Sequence, residues 1–239
     1  MSWNIHRAIG MDRRFKLDRI IDVIRHHDPD ILLLQEVDRG VPRSRKLWLD
    51  HAIAKACGYS AHSWAQAHTL KTGSYGNATL SRFSIEKRRH LDLTVSWKKT
   101  RNALYTRLKM PGHFKSLHVF NWHLGLSAIE RKAQVKRLFH SGAYRKLSEN
   151  DRVILGGDTN DWRNLLYPYA GIKHEHFHAW SEHRKRRHLY TFPAPKPIGA
   201  LDKIFWRGSF ENEHLHVSKL ATTRIASDHR PLVAELDLI

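Results

Sequence analysis

At 239 residues, with 41% hydrophobic and 10% aromatic content, the chain can bury a sizeable core, and no run approaches the ~18 apolar residues of a membrane-spanning helix. A single cysteine, Cys57, excludes an internal disulfide framework and suits a reducing compartment, so the cytoplasm is the expected location. Forty-one Lys and Arg against 23 Asp and Glu give a net charge of +18, which attracts polyanions (nucleic acid or anionic lipid surfaces) without constraining the fold.

The opening MSWNIHRAIG has neither the basic segment nor the apolar stretch of a secretory signal. KLDRIIDVIRHHDPD predicts an amphipathic helix with Leu17, Ile20, Ile21 and Ile24 on one face, stopping near Asp28-Pro29. ILLLQEV (31–37) is a continuous apolar run, as expected of a strand covered on both faces. RKLWLDHAIAKACG predicts a second helix capped by Gly58. NATLSRFSI, NALYTRLKM and KSLHVFNWHL read as strands, and alternation in the last puts Asn121 and His123 on one face.

SAIERKAQVKRLFHSGAYRKLSEN opens with the capping-box spacing Ser127/Glu130. As a helix it would expose Arg131, Lys132, Lys136, Arg137, Arg145 and Lys146. RVILGGD, ALDKIFW and PLVAELDLI predict three further strands, whereas residues 174–190 have no clean period and read as a long loop or irregular helix. No repeat, low-complexity stretch or linker divides the chain, so one domain over residues 1–239 is expected. Strands with few helices in both halves suggest packed sheets with helices outside.

Several of these apolar runs meet acids or amides at one end. Asn4 lies in the first short strand, Glu36 ends ILLLQEV, Asp158 and Asn160 follow VILGG, and Asp202 sits in ALDKIF. Ser227-Asp228-His229 directly precedes the last strand. Taken singly, each reads as a turn residue or a solvated strand end. Together they supply the oxygen ligands a hard divalent cation takes, and a histidine with an aspartate to orient it. Phosphodiester hydrolysis needs both.

SWNIHRAIG, LLLQEVD, YGNATLSRF, NWHLG, GGDTND, ALDKIF and SDHRPL occur in the order found in the endonuclease/exonuclease/phosphatase superfamily, which the chain resembles from residue 3 to about 234. The resemblance implies an α/β, four-layer α/β/β/α sandwich: two packed mixed β-sheets flanked by helices. It implies that Glu36, Asn4 and Asp228 bind Mg²⁺ or Mn²⁺. Asp158 resembles the carboxylate that orients or deprotonates the attacking water, and Asn160 its partner at the phosphate. His229 resembles the histidine at the scissile phosphate, oriented by Asp202, and His123 a second phosphate contact. Arg101 and Asn77 resemble substrate-side polar groups. Relatives carry several strand residues before the asparagine, and three precede Asn4 here, which leaves room for a start upstream of Met1.

The resemblance leaves the substrate open. A DNA nuclease draws on the net charge and on basic segments with aromatics nearby, around 131–145 and 183–192, where Trp180, Tyr190 and Phe192 could stack on bases. A phospholipid or inositol-phosphate esterase at anionic membrane surfaces draws on the same charge. A monomer with no obligate protein partner is expected.

Overall fold

The computed structural model describes residues 1–96, 98–179 and 189–239. Trp180 and most of the basic stretch proposed to contact DNA at 183–192 lie outside the described residues. No helix among the described residues is long and apolar enough to cross a membrane.

Among the described residues two six-stranded sheets pack face to face. The first has the order β11-β12-β1-β2-β4-β3. Its strands are β1 (Ser2–Asn4), β2 (Ile31–Arg39), β3 (Ala61–Thr69), β4 (Ser74–Ser81), β11 (Phe210–Val217) and β12 (Leu232–Leu238). The second has the order β5-β6-β7-β8-β10-β9. It comprises β5 (Ile85–Asp92), β6 (Asn102–Leu108), β7 (Leu117–His123), β8 (Arg152–Asp158), β9 (His178–Ala179) and β10 (Asp202–Arg207). Each sheet is mixed, with one parallel pair at its centre: β1 with β2, and β7 with β8.

The apolar run of β2 explains the layering. Leu32 and Leu34 pack with Ile20, Val23 and Ile24 of α1 (Leu17–His27) and with Leu49 and Ile53 of α2 (Leu49–Cys57). Leu33, pointing the other way, packs between the sheets with Leu117 and Val119. On the far side, α3 (Ala128–Phe139) and α4 (Leu166–Tyr169) cover the second sheet with Val135, Leu138 and Leu166 against Phe120, Trp122 and Leu155. The result is the expected four-layer α/β/β/α sandwich.

Local expectations fared unevenly. Helix α1 ends as predicted, with Asp28 in the left-handed region (φ 47°) before Pro29, although Val23 rather than Ile21 completes its buried stripe. Gly58 caps α2 at φ 72°. The stretch 77–85 is not one strand, because the chain turns after Ser81, whose hydroxyl accepts from the Phe83 N–H. Helix α3 has the expected cap, Glu130 N–H to Ser127 Oγ at 3.2 Å, but stops at Phe139, so Arg145 and Lys146 lie beyond it. Arg131 does not face solvent: it is 5% exposed and paired with Asp161 at 3.2 Å.

Candidate active site

Strand polarity gathers the polar strand ends at one edge of the sandwich. Strands β1, β7 and β8 end there with Asn4, His123 and Asp158, and β2 passes it at Glu36, three residues before its end at Arg39. Strand β10 runs antiparallel to β8, so Asp202 at its start stands opposite Asp158. Strand β12 runs antiparallel to β1, which brings Asp228 and His229, just before it, to the same edge. His123 and Asp158 are partners across the β7–β8 ladder.

Buried amides fix the two sheets at this edge. Gln35 Nε2 donates to Asn121 Oδ1 (2.8 Å), and Asn121 Nδ2 donates to the carbonyls of Leu34 (3.1 Å) and Ala78 (2.8 Å). Next to Gln35 a β-bulge interrupts the β2–β4 pairing and turns Glu36 to φ 55°. Bulges re-aim side chains in this way beside functional sites. Glu36 ion-pairs with Arg7 Nε at 3.4 Å, and its buried Oε2 accepts no hydrogen bond.

Three nitrogens converge on one oxygen. Asp158 Oδ2 accepts from Asn4 Nδ2 at 3.0 Å, and it faces His123 Nε2 at 3.4 Å and His229 Nε2 at 3.7 Å. The other carboxylate oxygen accepts the Asn160 N–H at 2.9 Å, closing a tight turn in which Asn160 takes φ 51°. Asn160 Nδ2 donates to Leu124 O at 2.9 Å, which leaves its second amide hydrogen for another acceptor.

His229 Nδ1 meets Asp202 Oδ2 at 2.7 Å. Ser227 secures this corner, its hydroxyl donating to Asn4 O (2.7 Å) and accepting from His229 N–H (3.2 Å).

Burial and charge set the protonation states. Burial alone would lower the His229 pKa, but the carboxylates of Asp202 and Asp158 overcome it and raise the ring to about 10. Burial raises Asp158 to about 6, opposed by the His229 cation and reinforced by Asp202. Burial, then the charges of Arg101 and His229, hold His123 well below the usual histidine range. The edge therefore offers an imidazolium and a neutral imidazole, each with a ring nitrogen within 4 Å of one carboxylate oxygen. Pairs of groups pushed apart in pKa are the mark of acid–base chemistry.

The structure thus brings together Asn4, His123, Asp158, Asn160, Asp202 and His229, with Glu36 and Asp228 on adjoining backbone. Asn77 is buried and donates to Asn102 Oδ1 at 2.8 Å. Arg101, 6% exposed, lies close enough to depress His123 electrostatically. Gly156 and Gly157 are close-packed positions. A β-carbon on Gly157 (φ 140°) would overlap the Trp122 carbonyl, and one on Gly156 would meet Leu33 of the other sheet at 2.6 Å. Their role is close packing between strands and sheets.

Sequence reading missed Arg7, Gln35 and Trp162. Trp162 is 50% exposed and stacks edge-on against Phe192 (5.6 Å), which packs on the His229 ring (4.9 Å). Its adjacency to GGDTND was the available signal.

The Endonuclease/Exonuclease/phosphatase family model matches residues 1–229. The Escherichia coli K12 protein YbhP is 31% identical over a 249-residue alignment covering 100% of this chain and 95% of YbhP. An endonuclease/exonuclease/phosphatase from Beutenbergia cavernae superposes with a TM-score of 0.76 at 22% identity, covering 99% of this chain and 70% of its own. A mannosyl-6-phosphatase from Bacteroides thetaiotaomicron gives 0.71 at 17% identity, covering 98% and 97%. The two structures are alike in fold; the family match and YbhP extend the likeness to sequence along the whole chain. The chain belongs to the endonuclease/exonuclease/phosphatase family of phosphoric ester hydrolases.

Proposed function

We propose that the protein is a divalent-metal-dependent DNA nuclease hydrolysing phosphodiester bonds at the Asp158–His229 edge. The observation that supports DNA is a cationic rim joining Glu36 to His123. Arg7 pairs with Glu36, and Arg43 lies within electrostatic reach of it. Tyr75 stands under both Arg43 (5.8 Å) and Lys99 (5.7 Å), and Lys99 and Arg101 reach His123. A backbone carrying successive phosphates matches such a rim, and the half-exposed Trp162 offers a stacking face beside His229.

In this reading Asp158 orients the attacking water and takes its proton as oxygen adds to phosphorus in line with the departing ester oxygen. The His229 imidazolium, fixed by Asp202, donates to the phosphate oxygens, with the neutral His123 and the second amide hydrogen of Asn160 alongside. Preorganised donors of this kind supply much of the rate enhancement. Asn77 braces β4 against Asn102, and Arg101 adds positive charge on the substrate side. The oxygen set of Asn4, Glu36 and Asp228 fits Mg²⁺ or Mn²⁺, and the buried Glu36 Oε2, which faces Arg7 at 3.4 Å but accepts no hydrogen bond, has capacity left for a cation. Bound there, the metal would neutralise charge developing on the phosphate.

Incubation with supercoiled plasmid, linear DNA and phospholipid vesicles, with Mg²⁺, Mn²⁺ or EDTA, tests the substrate. Metal-dependent DNA cleavage is expected. Intact DNA together with release of headgroup phosphate would replace the nuclease by a phospholipid or inositol-phosphate esterase at anionic membrane surfaces.

A further inference from the structure

A second cluster of metal-type ligands lies well away from the catalytic edge. His214 and His216, two apart on edge strand β11, project from the same face, and His214 is the register partner of Glu235 on β12. His214 Nδ1 and Glu235 Oε2 are 3.5 Å apart, and the two imidazole centroids 5.4 Å. One ligand atom from each of the three residues falls within a sphere in which all lie 4.8 Å or less from one another. Strand β12 leaves the catalytic edge at His229, and Glu235 lies three residues beyond Leu232, the partner of Ser2. At about 3.3 Å per residue this places the cluster on the order of 15–20 Å from the catalytic imidazole.

We propose that His214, His216 and Glu235 form a binding site for a borderline transition-metal dication of the Zn²⁺ class, clipping edge strand β11 to β12. Two imidazoles and one carboxylate are the donor set such ions take, with a fourth position open to water. In a tetrahedral site with metal–ligand bonds of about 2.1 Å the donors stand roughly 3.4 Å apart, so side-chain rotations that shift ligand atoms by about 1–1.5 Å complete the site.

The surroundings favour ligation. His216 Nδ1 is buried and has no hydrogen-bond partner. Burial, with His214 and Lys219 adding to it against Glu235, lowers the His216 pKa, so its ring is neutral and its nitrogen lone pair is available at neutral pH. The β-bulge between Glu211 and His214 sets the orientation from which His214 meets Glu235. His27, at the end of α1, lies beside His216 (6.0 Å) and is held by Ser218 Oγ at 2.7 Å, which extends the imidazole-rich surface. The oxygen-rich site at Glu36 suits harder ions, so the two sites differ in the metal they select. This inference does not depend on the phosphodiesterase reading.

The test is calorimetric titration of the full chain with ZnCl₂ in excess MgCl₂, beside thermal melts with and without Zn²⁺. Wild-type protein is expected to bind one Zn²⁺ and to melt higher in its presence. The His214→Ala/His216→Ala variant should weaken binding at least tenfold and lose the melting shift, while its hydrolytic activity in Mg²⁺ stays at the wild-type level. Glu235→Gln, an exposed change that leaves both histidines, should weaken binding by a smaller factor, and it decides the matter should the double variant misfold. Absence of Zn²⁺ binding by wild type, or equal binding by wild type and the variants, overturns the proposal.

Discussion

Asp158 and Asp202 are register partners across the β8–β10 ladder, and one imidazole spans them: His229 Nδ1 lies 2.7 Å from Asp202 and Nε2 3.7 Å from Asp158. The ladder therefore fixes both the ring's orientation and its charge. Asp202→Asn preserves the shape while removing the charge that holds the imidazolium. Hydrolysis should fall by about 10²–10⁴ in kcat with KM little changed. Steady-state kinetics on a phosphodiester substrate check this, and a kcat within threefold of wild type would contradict the role given to Asp202.

Close packing at the glycine pair gives a stability prediction. Gly157→Ala forces a β-carbon onto the Trp122 carbonyl at φ 140° and should cost on the order of 3 kcal/mol. Gly142→Ala, where a β-carbon meets nothing within 4 Å, should change the urea midpoint little. The contrast isolates the folded-state cost at Gly157, overlap together with its positive φ, because both substitutions restrict the unfolded chain equally.

Arg131 and Asp161 form a buried pair in which Arg131 also donates to Leu126 O (2.7 Å) and Asp161 accepts from Leu166 N–H (2.7 Å). Arg131→Ala leaves a buried carboxylate unpaired and should destabilise by about 3–5 kcal/mol. Lys132→Ala, exposed on the same helix, should be near neutral. A double-mutant cycle with Asp161→Asn should show strong coupling between the partners.

His27 gives a signed pH dependence. Burial first, then the neighbouring His26 and His216, lower its pKa from the usual 6.5 to about 4. A depressed folded pKa means the unfolded chain binds the proton first. The associated stability is complete above about pH 6.5 and is lost as pH falls from there through about 4. Urea midpoints at pH 7 and pH 5 should converge in His27→Gln relative to wild type. An unchanged difference would remove His27 from the acid response.

The polar edge proposed to be catalytic was legible as a cluster because its residues sit where strand patterning breaks. Glu36, Asp158, Asp202 and His229 each adjoin an apolar run, and their order along the chain has a family counterpart. Strands β3 and β11 were not legible. AHSWAQAHT mixes polar and apolar positions around a bulge at Gln66–His68, and FENEHLHV is an edge strand with one fully buried apolar residue, Leu215. The burial of Arg131 was equally hidden, since its partner Asp161 lies 30 residues on and only the fold brings them together. The packing role of the glycines of GGDTND was hidden for the same reason. Their neighbours, Leu33 and Trp122, belong to other strands.

The central claim, that Asp158 activates water at a metal-supported phosphodiester site, is tested most directly by single-turnover hydrolysis of a labelled DNA phosphodiester in Mg²⁺, comparing wild type with Asp158→Ala. Turnover should vanish in the variant, and in wild type with EDTA, while DNA binding by the variant is retained. Wild-type-like cleavage by Asp158→Ala, or cleavage undiminished by EDTA, would contradict it.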